Sequence, residues 1–273
     1  MKNLLTTFAI VFTIMLLCVS CGYSSQYICP EGETVSTRFI PPDGYTRTKC
    51  GGYGEYLRAL PMLPDGSPVK AYDGRLIKSG NSHCGVIDMD VGTKDLQQCA
   101  DSALRLRCEY LYAAGEYDSI CYQLTSGDEF PYTMYRDGYR LFVDNGTDVT
   151  LKKTAEYDPS YETFRAYCDM LFNYAGTISI ERESAPVALS DMQPGDVFVI
   201  GGSPGHLIFV LDMAENSNGD KVFLLAQGNT PAQQIHVLTN DTSLSPWFTL
   251  DDSTFPLSFG RFDFDESTLK RLR

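Results

Sequence analysis

The stretch from Gln193 to Gln227 constrains the fold more than any other. Gln193-Pro-Gly-Asp196 is a turn, Val197-Phe-Val-Ile200 is apolar throughout, Gly201-Gly-Ser-Pro-Gly205 interrupts it, and His206-Leu-Ile-Phe-Val-Leu-Asp212 resumes the apolar run. Unbroken apolar runs of this length, bounded by glycine and proline, read as strands covered on both faces. Asn216 to Asp220 is a hairpin turn into a third strand, Lys221 to Gln227, and Ile235 to Leu238 reads as a fourth. A chain that ends in such a meander needs helices to cover it, and those must come from earlier in the sequence.

Two helices stand out there. Leu96, Cys99, Ala103, Leu106, Tyr110 and Leu111 recur at helical spacing up to Gly115, with Thr93 or Asp95 as the expected cap. Tyr161 to Tyr174 follows Pro159-Ser160 and stops at Gly176. A shorter helix is expected over Tyr53 to Leu63, ending at the turn Pro64-Asp-Gly-Ser-Pro68. Strands are expected at Val69 to Tyr72, Val86 to Met89 and Ile120 to Leu124, and Thr125 to Tyr157 reads as an irregular excursion with strands. The pattern as a whole is an α+β fold with helices packed on an antiparallel sheet.

The beginning of the chain has a different character. Lys2 followed by the apolar stretch Leu4 to Leu17 reads as an export signal, too short to span a bilayer comfortably. Val19-Ser20 before Cys21 and the polar residues after it fit a lipoprotein signal peptide over 1–20, with Cys21 as the lipidated mature N-terminus. Residues 21–37, broken by Ser24, Ser25, Pro30 and Gly32, read as a tether, and 38–273 as a single α+β domain. The partner so implied is a membrane, held through the lipid on Cys21 at the periplasmic side of the envelope. Gly22 in place of an aspartate favours the outer membrane. The formal net charge is -13 for the whole chain, and removing the signal takes away one more positive charge, Lys2. With no basic stripe to offset it, such a chain repels phosphate backbones, which argues against nucleic acid as a partner.

Beyond Cys21 the cysteines are Cys29, Cys50, Cys84, Cys99, Cys108, Cys121 and Cys168, an odd set in a compartment where disulfides form. At least one thiol is left without an intrachain partner. Cys99 shares the spacing of a buried stripe, so an inert core thiol is one reading; as an early helical residue it is also the best placed nucleophile. Cys84 beside His83 points to the opposite face of its strand, and Cys168 lies mid-helix. His83, His206 and His236 lack ligand spacing, there is no H-E-x-x-H, and Gly201 to Gly205 leads into a strand rather than a helix, so no metal or phosphate-bearing cofactor is expected.

The Pro-Gly-Asp turn, the strand and the Gly205-His206 strand start resemble cell-wall amidases and endopeptidases of the papain-like superfamily, over about Gln193 to Asn229. The resemblance implies a papain-like core, His206 as general base, Cys99 as nucleophile, and Gln227 or Asn229 orienting the imidazole on the next strand. It also implies peptidoglycan peptides as the substrate class and amide hydrolysis as the reaction. A broader set of motifs, including Tyr72-Asp-Gly74, Asp95-Leu-Gln-Gln-Cys-Ala-Asp101, Pro204-Gly-His206, Pro231-Ala-Gln233 and Ser245-Pro-Trp247, is similar to a family of envelope lipoproteins catalogued as domain of unknown function 4846. That likeness spans about Thr37 to Phe262 and implies that the Cys99 and His206 segments belong to one domain, without implying an activity. Two readings stay open: a cysteine hydrolase, or a non-catalytic binding or assembly lipoprotein with Trp247 and nearby tyrosines as groove contacts.

Overall fold

The structure is a computed structural model that describes residues 26–78, 82–144, 148–251 and 254–273. Helix α1 (Val35–Arg38) and strand β1 (Tyr45–Arg47) lead to α2 (Gly52–Arg58) and β2 (His83–Val86). The long helix α3 (Cys99–Ala114) is followed by β3 (Cys121–Gln123), β4 (Glu129–Pro131), α4 (Tyr132–Arg136), β5 (Tyr139–Asp144) and β6 (Asp148–Lys153). Then come α5 (Tyr161–Tyr174), α6 (Thr177–Glu183), β7 (Ala185–Pro186), β8 (Val197–Ile200), β9 (His206–Asn216), β10 (Lys221–Gln227) and β11 (His236–Leu238). The chain closes with β12 (Phe248–Thr249), a hairpin of β13 (Leu257–Phe259) and β14 (Phe262–Phe264), and β15 (Leu269–Arg271).

The main sheet has the order β2-β11-β10-β9-β8-β15-β7, with β1 on β9 and β12 on β10. Its pairings are antiparallel. Strand β9 is central, and its alternate residues feed two cores: Leu207, Phe209 and Leu211 pack with α3 and α5 residues such as Leu104 and Phe164, while Ile208 and Val210 pack with Phe223, Leu257 and Phe264. That two-sided burial is why the β9 sequence is apolar without alternation. Helix α3 supplies Ala100, Ala103 and Leu104 to the first core.

One polar residue interrupts this apolar strand. Asp212 is fully buried and is clamped by Arg58 Nε and Arg47 Nε, each 2.6 Å from one of its carboxylate oxygens. The two arginines, from α2 and β1, tie the N-terminal elements to the central strand. The same N-terminal region corrects the expected tether. Tyr27 and Val35 are buried, Ile28 bridges Phe39, and the Thr34 side chain caps α1, so residues 26–37 pack as part of the domain. Two apolar anchors among polar neighbours carry too little periodicity to be read from sequence. The signal peptide expected over Met1–Ser20 and the lipidation site Cys21 lie outside the described residues. No helix among the described residues is long and apolar enough to cross a membrane.

Helix α5 occupies Tyr161–Tyr174, the bounds expected, with Ser160 Oγ accepting the Thr163 N–H. Helix α3 ends where expected, at a left-handed Gly115, but begins later than expected, at Cys99. Asp95 does not cap it: its carboxylate instead accepts the Ala232 N–H at 2.6 Å and the Gln98 side-chain amide at 3.2 Å. Gln98 is the N-cap residue, and its own N–H is satisfied by the Asp101 carboxylate at 3.1 Å. The strand expected at Val69–Tyr72 reduces to isolated bridges at Lys70 and Ala71, and that expected at Val86–Met89 lies earlier, at His83–Val86. Helix α6 was not expected at all.

Candidate active site

His206 opens β9 at a place fixed by glycine. A Cβ on Gly205 would lie 2.2 Å from Thr177 Oγ1, so only glycine lets the loop sit against the start of α6, where Thr177 also bonds Gly202. The His206 ring is 5% exposed, with the Phe262 ring stacked at 5.1 Å and Phe264 at 6.0 Å between centroids. His206 Nε2 and Gln227 Oε1 are hydrogen-bonded at 2.7 Å. Gln227 ends β10 directly opposite His236 on β11, and its side-chain nitrogen lies 3.2 Å from His236 Nε2. His236 Nδ1 in turn lies 3.0 Å from the Gln234 carbonyl oxygen. Burial lowers the basicity of both rings; for His206 the bond to Gln227 pulls partly the other way, and His236 is brought down to about 4.

Cys99 approaches the same strand from the helix side. It is the first residue of α3, not the fourth to sixth as a Thr93 or Asp95 cap would place it, so it sits where unpaired backbone N–H groups concentrate. The backbone N–H of Leu207, the residue next to His206 in the chain, bears on its sulfur and favours the thiolate. Side chains alternate along β9: Leu207 faces the α3 side, whereas His206 faces the other side with Ile208, Phe262 and Phe264, so the Cys99 sulfur and the His206 ring lie on opposite faces of the strand. Gly228 makes this approach possible: a Cβ there would meet Ser102 Oγ at 2.1 Å and the Gln98 carbonyl oxygen at 2.9 Å. Burial pushes the Cys99 thiol above its ordinary range, and the Leu207 N–H pulls it partway back. Among the described residues no hydrogen bond joins Cys99 to His206, and both groups are neutral at rest.

Of the two residues expected to orient His206, Gln227 holds the ring. Asn229 turns its side-chain oxygen to the Thr230 N–H at 2.8 Å, so it lines the cleft without touching the imidazole. Two cavities meet here. One, of about 1230 Å³, is lined by His206, Gln227, Asn229 and Phe262. The other, of about 450 Å³, is lined by Cys99, Asp101 and the Gly202–Gly205 loop. Gly205, Thr230 and Arg261 line both.

A family model described as a domain of unknown function (4846) matches residues 35–271. The chain belongs to that family. No curated protein and no solved structure matches it.

In this member of family 4846 the other thiols stand away from the cleft. Cys84 donates to backbone carbonyls of β11, and burial raises it to about 12. Cys168 is buried in α5 against Cys108 of α3. Trp247, expected as a groove contact, is a core residue instead: it is fully buried and its Nε1–H donates to the Ile40 carbonyl at 2.8 Å. Among the described residues no tyrosine lines either cavity; the aromatic walls are Phe248, Phe259 and Phe262 in the larger and Phe172 in the smaller. His236 and Phe262 are the site residues that sequence reasoning missed. For His236 the available signal was its place at the start of the strand that must follow Gln227 in the meander.

Proposed function

We propose that this protein is a cysteine hydrolase of amide bonds on a papain-like core, acting on peptides of the cell wall. One observation carries the reading: Cys99, the first residue of a helix, lines a cavity that shares Gly205, Thr230 and Arg261 with the cavity lined by His206, the histidine that Gln227 orients. A helix start favours thiolate, and an imidazole held by a side-chain amide is a general base in need of a nearby proton donor. The Cys99 S–H proton passes around the start of β9, past Gly205, which lines both cavities, to His206 as the sulfur bonds to the carbonyl carbon of the substrate. The C–N bond then breaks, the proton leaves with the amine, and water releases the acid from the thioester. Because thiol and imidazole are both neutral at rest, transfer accompanies attack rather than preceding it.

The same proposal includes export and lipidation at Cys21, placing the domain on the periplasmic side of a membrane, the outer one by virtue of Gly22. Packing that begins at Tyr27 leaves a tether of about 20 Å at full extension, so the cleft would work close to the lipid surface. A second reading, a non-catalytic binding or assembly protein, is favoured by the Phe262 ring that covers His206. Incubating the purified chain with peptidoglycan-derived peptides and following new amine and carboxylate termini by mass spectrometry separates the two. Cleavage by wild type, with a loss of about 10²-fold or more in Cys99→Ala and His206→Ala, supports the hydrolase. Absence of new termini, or cleavage undiminished in Cys99→Ala, supports the binding protein.

A further inference from the structure

The hydrogen bonds behind His206 fix where the protons of the site reside, starting from an atom that cannot donate. The Gln234 carbonyl oxygen offers only lone pairs, so His236 Nδ1, 3.0 Å away, carries the hydrogen. Burial, together with the nearby His83 and His206 rings, keeps His236 neutral down to about pH 4, against the opposing effect of the Gln234 carbonyl. Its Nε2 is therefore a bare acceptor at neutral pH. The group 3.2 Å from it must be the NH₂ of the Gln227 amide, because the reverse orientation would set a carbonyl oxygen against a lone pair. The Gln227 carbonyl oxygen then faces His206 Nε2 at 2.7 Å, and since that oxygen only accepts, Nε2 carries the hydrogen.

We infer that His236 is a positioning residue which, through the Gln227 amide, selects the His206 tautomer that leaves Nδ1 as the free base. Its catalytic consequence rests on the hydrolase reading, in which Nδ1 takes the Cys99 proton. The groups that face His236 are His83 of β2, whose ring meets it edge-on at 5.9 Å, Gln227 of β10, and the Gln234 carbonyl at the start of its own strand. None but Gln227 reaches on to His206. His236 thus bears on the site without touching substrate.

The chain has three histidines, so long-range proton–nitrogen correlation spectra of the ¹⁵N-histidine-labelled chain at pH 7.5 resolve each ring, with assignments from single replacements. The expected result is His206 protonated at Nε2 and His236 at Nδ1. His236→Phe removes the acceptor and frees the amide, so His206 becomes a mixture of tautomers; His236→Gln, whose side-chain oxygen accepts from Gln227, restores the single form. A wild-type His206 protonated at Nδ1, or a pure Nε2–H form that persists in His236→Phe, overturns the inference. The wild-type spectrum decides even if the phenylalanine variant does not fold. An inactive chain with the expected tautomers defeats the hydrolase reading alone, whereas an active chain with the opposite tautomer defeats this inference alone.

Discussion

Gly228→Ala tests whether close contact between α3 and the end of β10 builds the site. Gly228 has no left-handed backbone, so alanine there meets a packing problem rather than a torsional one. Its Cβ would lie 2.1 Å from Ser102 Oγ, 3.0 Å from Ser102 Cβ and 2.9 Å from the Gln98 carbonyl oxygen. The hydroxyl cannot simply rotate away, because Ser102 is fully buried and its hydroxyl donates to that same carbonyl at 2.7 Å. The first turn of α3 must therefore recede by about 1 Å, an overpacking cost of about 1–3 kcal/mol. For a domain of this size the midpoint of thermal unfolding falls by about 2–12 °C. Cys99 rides on that turn, so its sulfur shifts relative to the Leu207 N–H that favours its thiolate, and alkylation of Cys99, followed by peptide mapping, changes rate in the folded protein. Ser102→Ala alone costs about 1 kcal/mol for its hydrogen bond, yet added to Gly228→Ala it removes the closest clash, so the double variant is more stable than the sum of the singles predicts. A midpoint for Gly228→Ala within about 1 °C of wild type would show that the helix start is not pressed against the strand end.

Three further outcomes follow from buried groups. Asp101 is held up at about 8 against an ordinary 3.8, because it is buried with one carboxylate oxygen unpartnered; the folded chain thus keeps a proton that the unfolded chain loses, and wild-type stability falls as pH rises from about 4 to 8. Asp101→Asn lacks that titration, so its stability relative to wild type climbs across the window and levels off above it in urea titrations; a constant difference from pH 4 to 9 would refute the assignment. Asp212→Asn leaves the buried Arg58 with only the exposed Glu55 as countercharge and should cost about 3–5 kcal/mol by chemical denaturation, whereas a loss below about 1 kcal/mol would mean water reaches the pair. Ser160→Ala removes the cap of α5 and should cost about 1 kcal/mol in the same assay, and a neutral result would show that the Thr163 N–H finds another acceptor.

The parts of the fold that could be read from sequence are those whose signal is local. Strands β8 to β11 and helix α5 announce themselves through apolar runs, a serine cap and glycine stops, all within a few residues of the element they define. Helix α6 escaped because Thr177-Ile-Ser-Ile reads no better as helix than as strand. What holds it is tertiary: Thr177 engages Gly202 and Glu181 accepts the Gly201 N–H at 3.0 Å. The start of α3 was misplaced for a similar reason. Asp95 is a good cap by composition, but Ala232, far along the chain, has claimed its carboxylate.

The same division runs through the site and explains why Cys99 looked weaker in the sequence than it does in the fold. A helix begun at Thr93 or Asp95 puts Cys99 beyond the first turn, where the dipole does little for a thiolate, and gives it the spacing of a core residue. Moving the start to Cys99 reverses the first judgement and leaves the second intact, since the side chain is both buried and first in its helix. Nor could the sequence choose between Gln227 and Asn229, because both follow the histidine on or after the next strand. Strand register decides it: Gln227 stands opposite His236 within the sheet, while Asn229 lies past the end of β10 and turns to its own loop. His236 itself is defined only by that register. A residue whose role is to fix the proton on a partner's partner leaves no local trace, so it becomes visible only once hydrogen-bond donors and acceptors are followed across three strands.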